Sequence, residues 1–373
     1  MKNTELKEIS IAINKNDNKL IGLEIVRFFS ALSILVWHYQ HFFFKEDEPI
    51  NFTRELQPFY SVLDVFYNYG LFGVKVFWCV SGFIFFWKYG DLISQKLISG
   101  KKFILLRFSR LYPLHFVTLI IIAFFQILYF KNNNFFLVYQ FNDVYHFFLQ
   151  LFFISDWGFE EGYSFNGLIW SISVEIMVYI FFFLMLRYIR FSNSLKTNFF
   201  IIFTSLFILY TDFLNFPVVM DVLCLFYSGG IAAIIYSRYG NNKILSYLML
   251  ILLFFIPLLI HKFELYNIKH WLTVVFIIYI PICLFILSKV VINNLYLASI
   301  IKIFGNMTYS SYLIHFPLQF LIILIFSYTG NELPLYNNIF FISYLVLTLM
   351  LSYLAYYFFE KPVQKKIRKI FSI

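Results

Sequence analysis

Residues 21–44 read IGLEIVRFFSALSILVWHYQHFFF. A helix needs about 20 apolar residues to cross a bilayer, and this stretch is long enough, yet it carries Arg27 and His38. Their spacing is close to three helical turns. A helix here therefore puts both side chains on one face, roughly 16 Å apart along its axis. Ionisable groups inside a span are costly and face a protein interior or a wet cavity. The stretch predicts a bundle of membrane helices with an elongated polar cavity running partway through it.

The rest of the chain agrees with that class. Of its 373 residues, 61% are hydrophobic, 23% aromatic and 13% charged, against about 25% charged in a soluble domain. The mean hydropathy is +0.76. Cys79, Cys224 and Cys283 fall in apolar stretches with no pairing pattern and read as packing residues. No metal-ligand cluster and no Gly-rich phosphate loop is present, so no metal is expected. Residues 1–20 are polar and mixed in charge, unlike a secretory signal.

Ten spans are expected, at about 22–44, 59–87, 108–130, 167–186, 198–215, 217–237, 244–261, 271–288, 308–328 and 338–358. With the N-terminus inside, Lys45, Arg54, Lys131, Lys262 and Lys269 face outward and Lys75 lies within a span; the other 23 of the 29 Lys and Arg face inward. That bias places both termini in the cytoplasm, as an even span count requires. The net charge of +9 thus follows topology and is not a nucleic-acid footprint. The expected architecture is an all-α integral membrane protein. It comprises a polar cytoplasmic segment 1–20, one membrane domain 21–360 and a basic cytoplasmic tail 361–373 that meets anionic lipid. The outer stretch 131–166 contains FFLQLFFIS (147–155), too short to cross, which reads as a re-entrant or interfacial helix covering a site.

Several constellations could carry chemistry. Arg27, beside Glu24 near the inner boundary, can meet an anion arriving from the cytoplasm, and a deep neutral imidazole at His38 can act as a general base on a hydroxyl. The alternative is a snorkelling arginine and a histidine that caps a carbonyl. His41, one turn on, reads as interfacial. Arg107 and Arg110, in FILLRFSRLYPLHF, can bind phosphates bidentately or simply anchor the span. In GLIWSISVEIMVYIFF (167–182), Trp170, Ser171, Ser173 and Glu175 lie on a span. The Glu175 carboxylate there needs a partner such as Arg27, Arg107, Arg110 or His38. Lys75 with Ser81 and Gly82, in GVKVFWCVSGFIFF (73–86), reads as structural, the small pair permitting close helix approach or lining a cavity. In MTYSSYLIHFPLQ (307–319), Pro317 frees a carbonyl near His315 and Tyr312. His315 is either a second catalytic group or a satisfied core histidine. Glu360 with Lys361 and Pro362, in FFEKPVQKKIRK (358–369), reads as a helix terminus.

Six segments in this order resemble acyltransferase family 3, the integral-membrane O-acyltransferases of bacterial surface glycans. They are LEIVRFFSALSILVWH, FGVKVFWCVSGFIF, RFSRLYP, IWSISVEIMVYI, YSSYLIHFP and FFEKPVQK, and they run from about residue 22 to 365. The Arg followed after ten residues by His is present as Arg27 and His38. The resemblance implies an enzyme of the bacterial inner membrane. It would take an acyl group, most simply acetyl, from cytoplasmic acyl-CoA and place it on a sugar hydroxyl of a lipid-linked or surface glycan such as lipopolysaccharide. Arg27, Arg107 and Arg110 would hold the CoA phosphates, and His38 would act at the thioester or acceptor hydroxyl, with Glu175 and His315 as further catalytic candidates. Departures are Glu24-Ile25, and Lys75-Val76 where an acidic residue is common. No hydrolase-like domain is expected after the last span. A transporter or flippase of a glycan intermediate is the competing class; no inverted repeat or pair of broken helices favours it.

Overall fold

The structure is a computed structural model that describes residues 20–189, 193–264 and 269–373. All but the last residue of the polar segment 1–20 lies outside the described residues.

The described chain is almost wholly helical. Helix α1 (Ile21–Trp37) tightens into a 3₁₀ turn, His38–Phe43, and a short antiparallel ladder follows: β1 (Phe44–Lys45) against β2 (Glu48–Pro49), Phe44 opposite Pro49. Then come α2 (Tyr60–Tyr69), α3 (Gly73–Ser94), α4 (Gly100–Asn133), α5 (Val144–Leu151), α6 (Trp170–Tyr188), α7 (Leu195–Thr211), α8 (Pro217–Tyr239) and α9 (Lys243–Lys262). The chain continues through α10 (Trp271–Leu287), α11 (Leu295–Asn306), α12 (Thr308–Thr329), α13 (Asn338–Leu354) and α14 (Lys361–Ile370).

Eight helical stretches are long and apolar enough to cross a membrane: 21–43, 60–94, 100–133, 167–188, 217–239, 243–262, 308–329 and 338–370. The other two expected spans, 198–215 and 271–288, are the 17-residue helices α7 and α10, about 25 Å long at 1.5 Å per residue. The apolar surface points outward, as in a lipid solvent. No residue of α9 is buried, and Ile244 and Phe254 are at least 70% exposed.

Two departures lengthen the expected helices. Ser99 caps α4, its hydroxyl accepting from the Lys102 amide at 3.2 Å, so α4 starts ahead of the expected 108. The last helix does not stop at Glu360. A π turn, Ala355–Glu360, carries it into α14, and such a turn accommodates the missing amide of Pro362. Glu360 is buried and accepts from the Ser310 hydroxyl at 2.6 Å. The expected basic tail is thus helix α14, which packs along α4.

The chain divides into two compact units. One holds residues 1–28, 75–98 and 178–305. Its centre is a backbone-close crossing of α3 and α8. A Cβ on Gly82 would lie 1.8 Å from the Phe226 carbonyl oxygen, and one on Gly229 would lie 1.9 Å from that of Cys79. Small residues allow this approach, which substitutes for the hydrophobic effect inside a membrane. The rings of Phe85, Phe182 and Phe226 fill the space beside it, with Phe85 stacked 4.1 Å from Tyr179. The Ser81 and Tyr179 hydroxyls are 3.1 Å apart. Lys75 is held by an ion pair within this unit. It pairs with Asp221 of α8, and the Thr273 hydroxyl accepts from Lys75 at 3.2 Å while donating to Asp221. A charge inside a span needs such closure, because neither ion can be left bare there.

The other unit holds residues 29–74, 99–177 and 306–373. Here Gln319 of α12 donates to the His38 carbonyl at 2.9 Å, and the Tyr39 hydroxyl donates to Leu335 at 2.7 Å. These bonds satisfy carbonyls where the chain leaves regular helix. Pro317 cannot donate to Leu313 within α12, and the Asn166 side chain donates to that carbonyl instead, at 3.4 Å.

Candidate active site

Segment 134–166 closes over one end of this second unit. Helix α5 begins at Val144, earlier than the expected 147, because Asp143 caps it: the Asp143 carboxylate accepts from the His146 amide at 2.8 Å. Its eight residues cannot cross a membrane. Gln150 ties it down: its carbonyl accepts from His115 Nε2 at 2.8 Å, and its side chain donates to Ser164 at 2.9 Å. Ser173 fixes the returning chain, donating to the Phe153 carbonyl at 2.8 Å and accepting from the Asp156 amide at 3.3 Å. The Val138 amide donates to the Glu46 carbonyl at 2.8 Å, joining the segment to the β1–β2 turn.

Beneath this cover lies a cavity of about 380 Å³. His38, His41, Trp37 and Trp170 line it, together with Asp47 and Tyr139, Gln140, Phe141 and Tyr163 of the covering segment. Its size and its few polar groups among aromatic faces suit a small ligand. Burial, and the nearby Tyr312 phenol, hold Tyr139 above the ordinary phenol range, so it stays a hydrogen-bond donor at neutral pH.

His38 is 3% exposed, and its Nδ1 is 2.9 Å from the Ile34 carbonyl oxygen. A carbonyl oxygen only accepts, so the proton sits on Nδ1 and Nε2 carries the lone pair. That is the tautomer a general base needs. His315 repeats the arrangement on α12, with Nδ1 3.0 Å from the Ser311 carbonyl and Nε2 buried with no hydrogen-bond partner among the described residues. The two rings are 5.0 Å apart. His315 does not line the cavity; its ring stands beside that of His38, close enough for a charge on one to oppose a charge on the other.

His41 is not the interfacial residue expected. It is 5% exposed and its ring lies 4.8 Å from that of His38. The cause is tertiary: Tyr139 of the covering segment and Phe316 of α12 lie edge-on to the His41 ring, at 6.0 and 5.6 Å, and shut it off from the interface.

The other candidate residues divide by unit. Tyr312 donates to the Leu168 carbonyl at 2.7 Å and stands 2.8 Å from the Ser171 hydroxyl, which fixes both as framework beside the cavity. Glu175 is half-buried on α6 and is not part of the lining. Arg107 and Arg110 are half-buried on the first third of α4. Between them in sequence, the Ser109 hydroxyl accepts from Arg368 Nε of α14 at 3.2 Å, adding a third guanidinium that the sequence did not single out. In the first unit, Arg27 is 9% exposed and its guanidinium is 2.6 Å from Glu24. Lys75, Ser81 and Gly82 belong to that unit's own packing. No group of His, Cys, Asp and Glu able to hold a metal occurs among the described residues.

Asp156, on the covering segment, supplies a pH-dependent term. Burial, with the Glu160 carboxylate adding repulsion, pushes its carboxyl up to about 7. The folded value exceeds the unfolded value of about 3.9. The resulting stability is therefore full below pH ~4 and is lost as pH rises to about 7. The loss is on the order of 2 kcal/mol after allowing for its half-buried setting. Thermal unfolding in detergent should show Asp156→Asn flattening this decline, with its gain over wild type growing from pH 4 to pH 8. A gain that stays constant with pH would remove Asp156 as the cause.

The chain matches the family model described as an acyltransferase domain over residues 20–357. No curated protein and no solved structure matches it. The match spans both units and every segment that carries the Arg27–His38, Arg107–Arg110 and His315 motifs, so this multi-pass membrane protein belongs to acyltransferase family 3.

Proposed function

We propose that the protein transfers an acyl group, most simply acetyl, from cytoplasmic acyl-CoA to a sugar hydroxyl of a lipid-linked or cell-surface glycan. The observation that carries this reading is a proton-accepting imidazole, His38, at the wall of an aromatic cavity in a membrane acyltransferase. His38 Nε2 takes the hydroxyl proton while the sugar oxygen attacks the thioester carbonyl. The carbon–sulfur bond then breaks, and the CoA thiolate leaves with a proton returned from the imidazolium. His315 is a further catalytic candidate beside it, its ring 5.0 Å from that of His38. Direct transfer needs only this base, so no acyl-enzyme is invoked.

Arg27, Arg107 and Arg110 are assigned to the anionic carrier, with Arg368 beside the α4 pair. Guanidinium forks match phosphate oxygens bidentately. The Lys and Arg bias supports a cytoplasmic side for both termini and α14, and the membrane proposed is a bacterial inner membrane. CoA is a co-substrate, and the reading calls for no metal.

The test uses purified protein in detergent, radiolabelled acetyl-CoA and a glycan extract of the host. Free CoA release matched by label in the glycan supports the reading. Arg107→Ala and Arg110→Ala should each raise the KM for acetyl-CoA on the order of tenfold, the size of a lost charge-assisted contact. Glycan counterflow across vesicles without any acyl transfer would replace this reading with transport.

A further inference from the structure

We infer that the sugar ring held against His38 is uncharged or carries an ammonium group, and that Asp47 rejects acceptors bearing a carboxylate or phosphate there. This rests on the acyltransferase reading of the cavity. No Lys or Arg lines the cavity, and Asp47 is its one carboxylate among the described residues. The nearest cations in sequence are engaged elsewhere. Lys45 lies over the Phe135 ring at 5.8 Å, and Arg54 donates to Gln40 at 3.0 Å and to the Tyr67 carbonyl. Further carboxylates lie beside these lining residues. Glu46 and Glu48 flank Asp47 in sequence on the exposed β1–β2 turn, and the Glu160 carboxylate acts on the Tyr163 phenol.

The remaining lining suits a neutral pyranose. Trp37, Trp170 and Tyr139 line the cavity, and the negative π-density of an aromatic face attracts the polarised C–H groups of a sugar ring. Gln140 donates to the Phe136 carbonyl at 3.0 Å, which leaves its Oε1 to accept from a sugar hydroxyl. An anionic ring would enter this largely apolar lining with no Lys or Arg counter-charge and with a carboxylate already present. Both the desolvation and the repulsion oppose it.

The test pairs methyl glycosides of glucose, galactose and mannose with their uronic acids. Quenching of tryptophan emission in purified full-length protein gives each dissociation constant. The expected ratio of uronic to neutral constants is on the order of tenfold or more for any sugar that binds, as close like charges impose. Asp47→Asn, which keeps the shape and removes the charge, should bring that ratio towards one, and Asp47→Lys should invert it. Equal binding of both forms, an unchanged ratio in Asp47→Asn, or no binding by any glycoside overturns the inference. CoA release with native glycan extract is measured on the same preparations. Release without a neutral-over-uronic preference sinks the Asp47 assignment alone, whereas absence of release with every extract sinks the acyltransferase reading beneath it.

Discussion

His38→Ala abolishes acyl transfer, lowering turnover on the order of 10²–10⁴-fold, the typical contribution of a positioned general base. The ring does two things that alanine cannot. Its Nδ1 is committed to the Ile34 carbonyl at 2.9 Å, and that commitment keeps Nε2 unprotonated. Its position in the cavity wall brings Nε2 to the acceptor. His38→Gln is the sharper control, because an amide can still donate to Ile34 but has no basic nitrogen. It should be as inactive as alanine while unfolding at the same temperature as wild type. Because His38 borders a cavity, truncation enlarges existing space rather than opening a void in a packed core, and the stability cost stays small beside the kinetic one. His315→Gln should lose less, since that ring stands beside His38 and does not line the cavity. Its signature is a changed pH–rate profile with an unchanged KM for the acceptor. Full activity in His38→Gln would remove the imidazole from the mechanism.

How much of this was legible in the sequence depended on the scale of the feature. The span pattern needs only local apolarity, and eight of the ten expected spans appear as long apolar helices. The Arg27–His38 spacing marked the right helix. What it could not show is that the helix tightens at His38, because Gln319, 281 residues away in sequence, fixes that turn through the His38 carbonyl. His41 was misread because Tyr139 and Phe316, both far along the chain, cover its ring. Asp47 was invisible because an exposed turn residue becomes cavity lining only when segment 134–166 folds back over it. The Lys75 partner lay 146 positions along the chain at Asp221, a pairing that no local pattern announces. Gly82 was the opposite case: a small residue inside a span is unusual enough in a Phe-rich chain to point at a close helix crossing.

That crossing carries the second large effect. Gly82→Ala should destabilise the unit that contains it by about 3 kcal/mol, at the upper end for overpacking. Two terms compete. Alanine favours a helix over glycine by about 1 kcal/mol. Against this, the added methyl would sit 1.8 Å from the Phe226 carbonyl oxygen, a backbone atom that no rotamer change can move. Helices α3 and α8 must therefore part, and the contacts around Phe85, Phe182 and Phe226 stretch together. Dispersion falls off steeply with such a gap, and inside a membrane no hydrophobic term compensates. Gly229→Ala imposes the same separation from the other helix, its methyl 1.9 Å from the Cys79 carbonyl. The double variant should cost much less than the sum of the singles, because one separation relieves both clashes. Ser81→Ala is the local comparison; it loses only the contact with the Tyr179 hydroxyl, worth about 1 kcal/mol. Reversible unfolding in mixed micelles measures all four. If Gly82→Ala falls within about 0.5 kcal/mol of wild type, the ordinary range for a neutral site, the two backbones are not in contact. Additive costs would instead mean two independent clashes, and the single close crossing would be wrong.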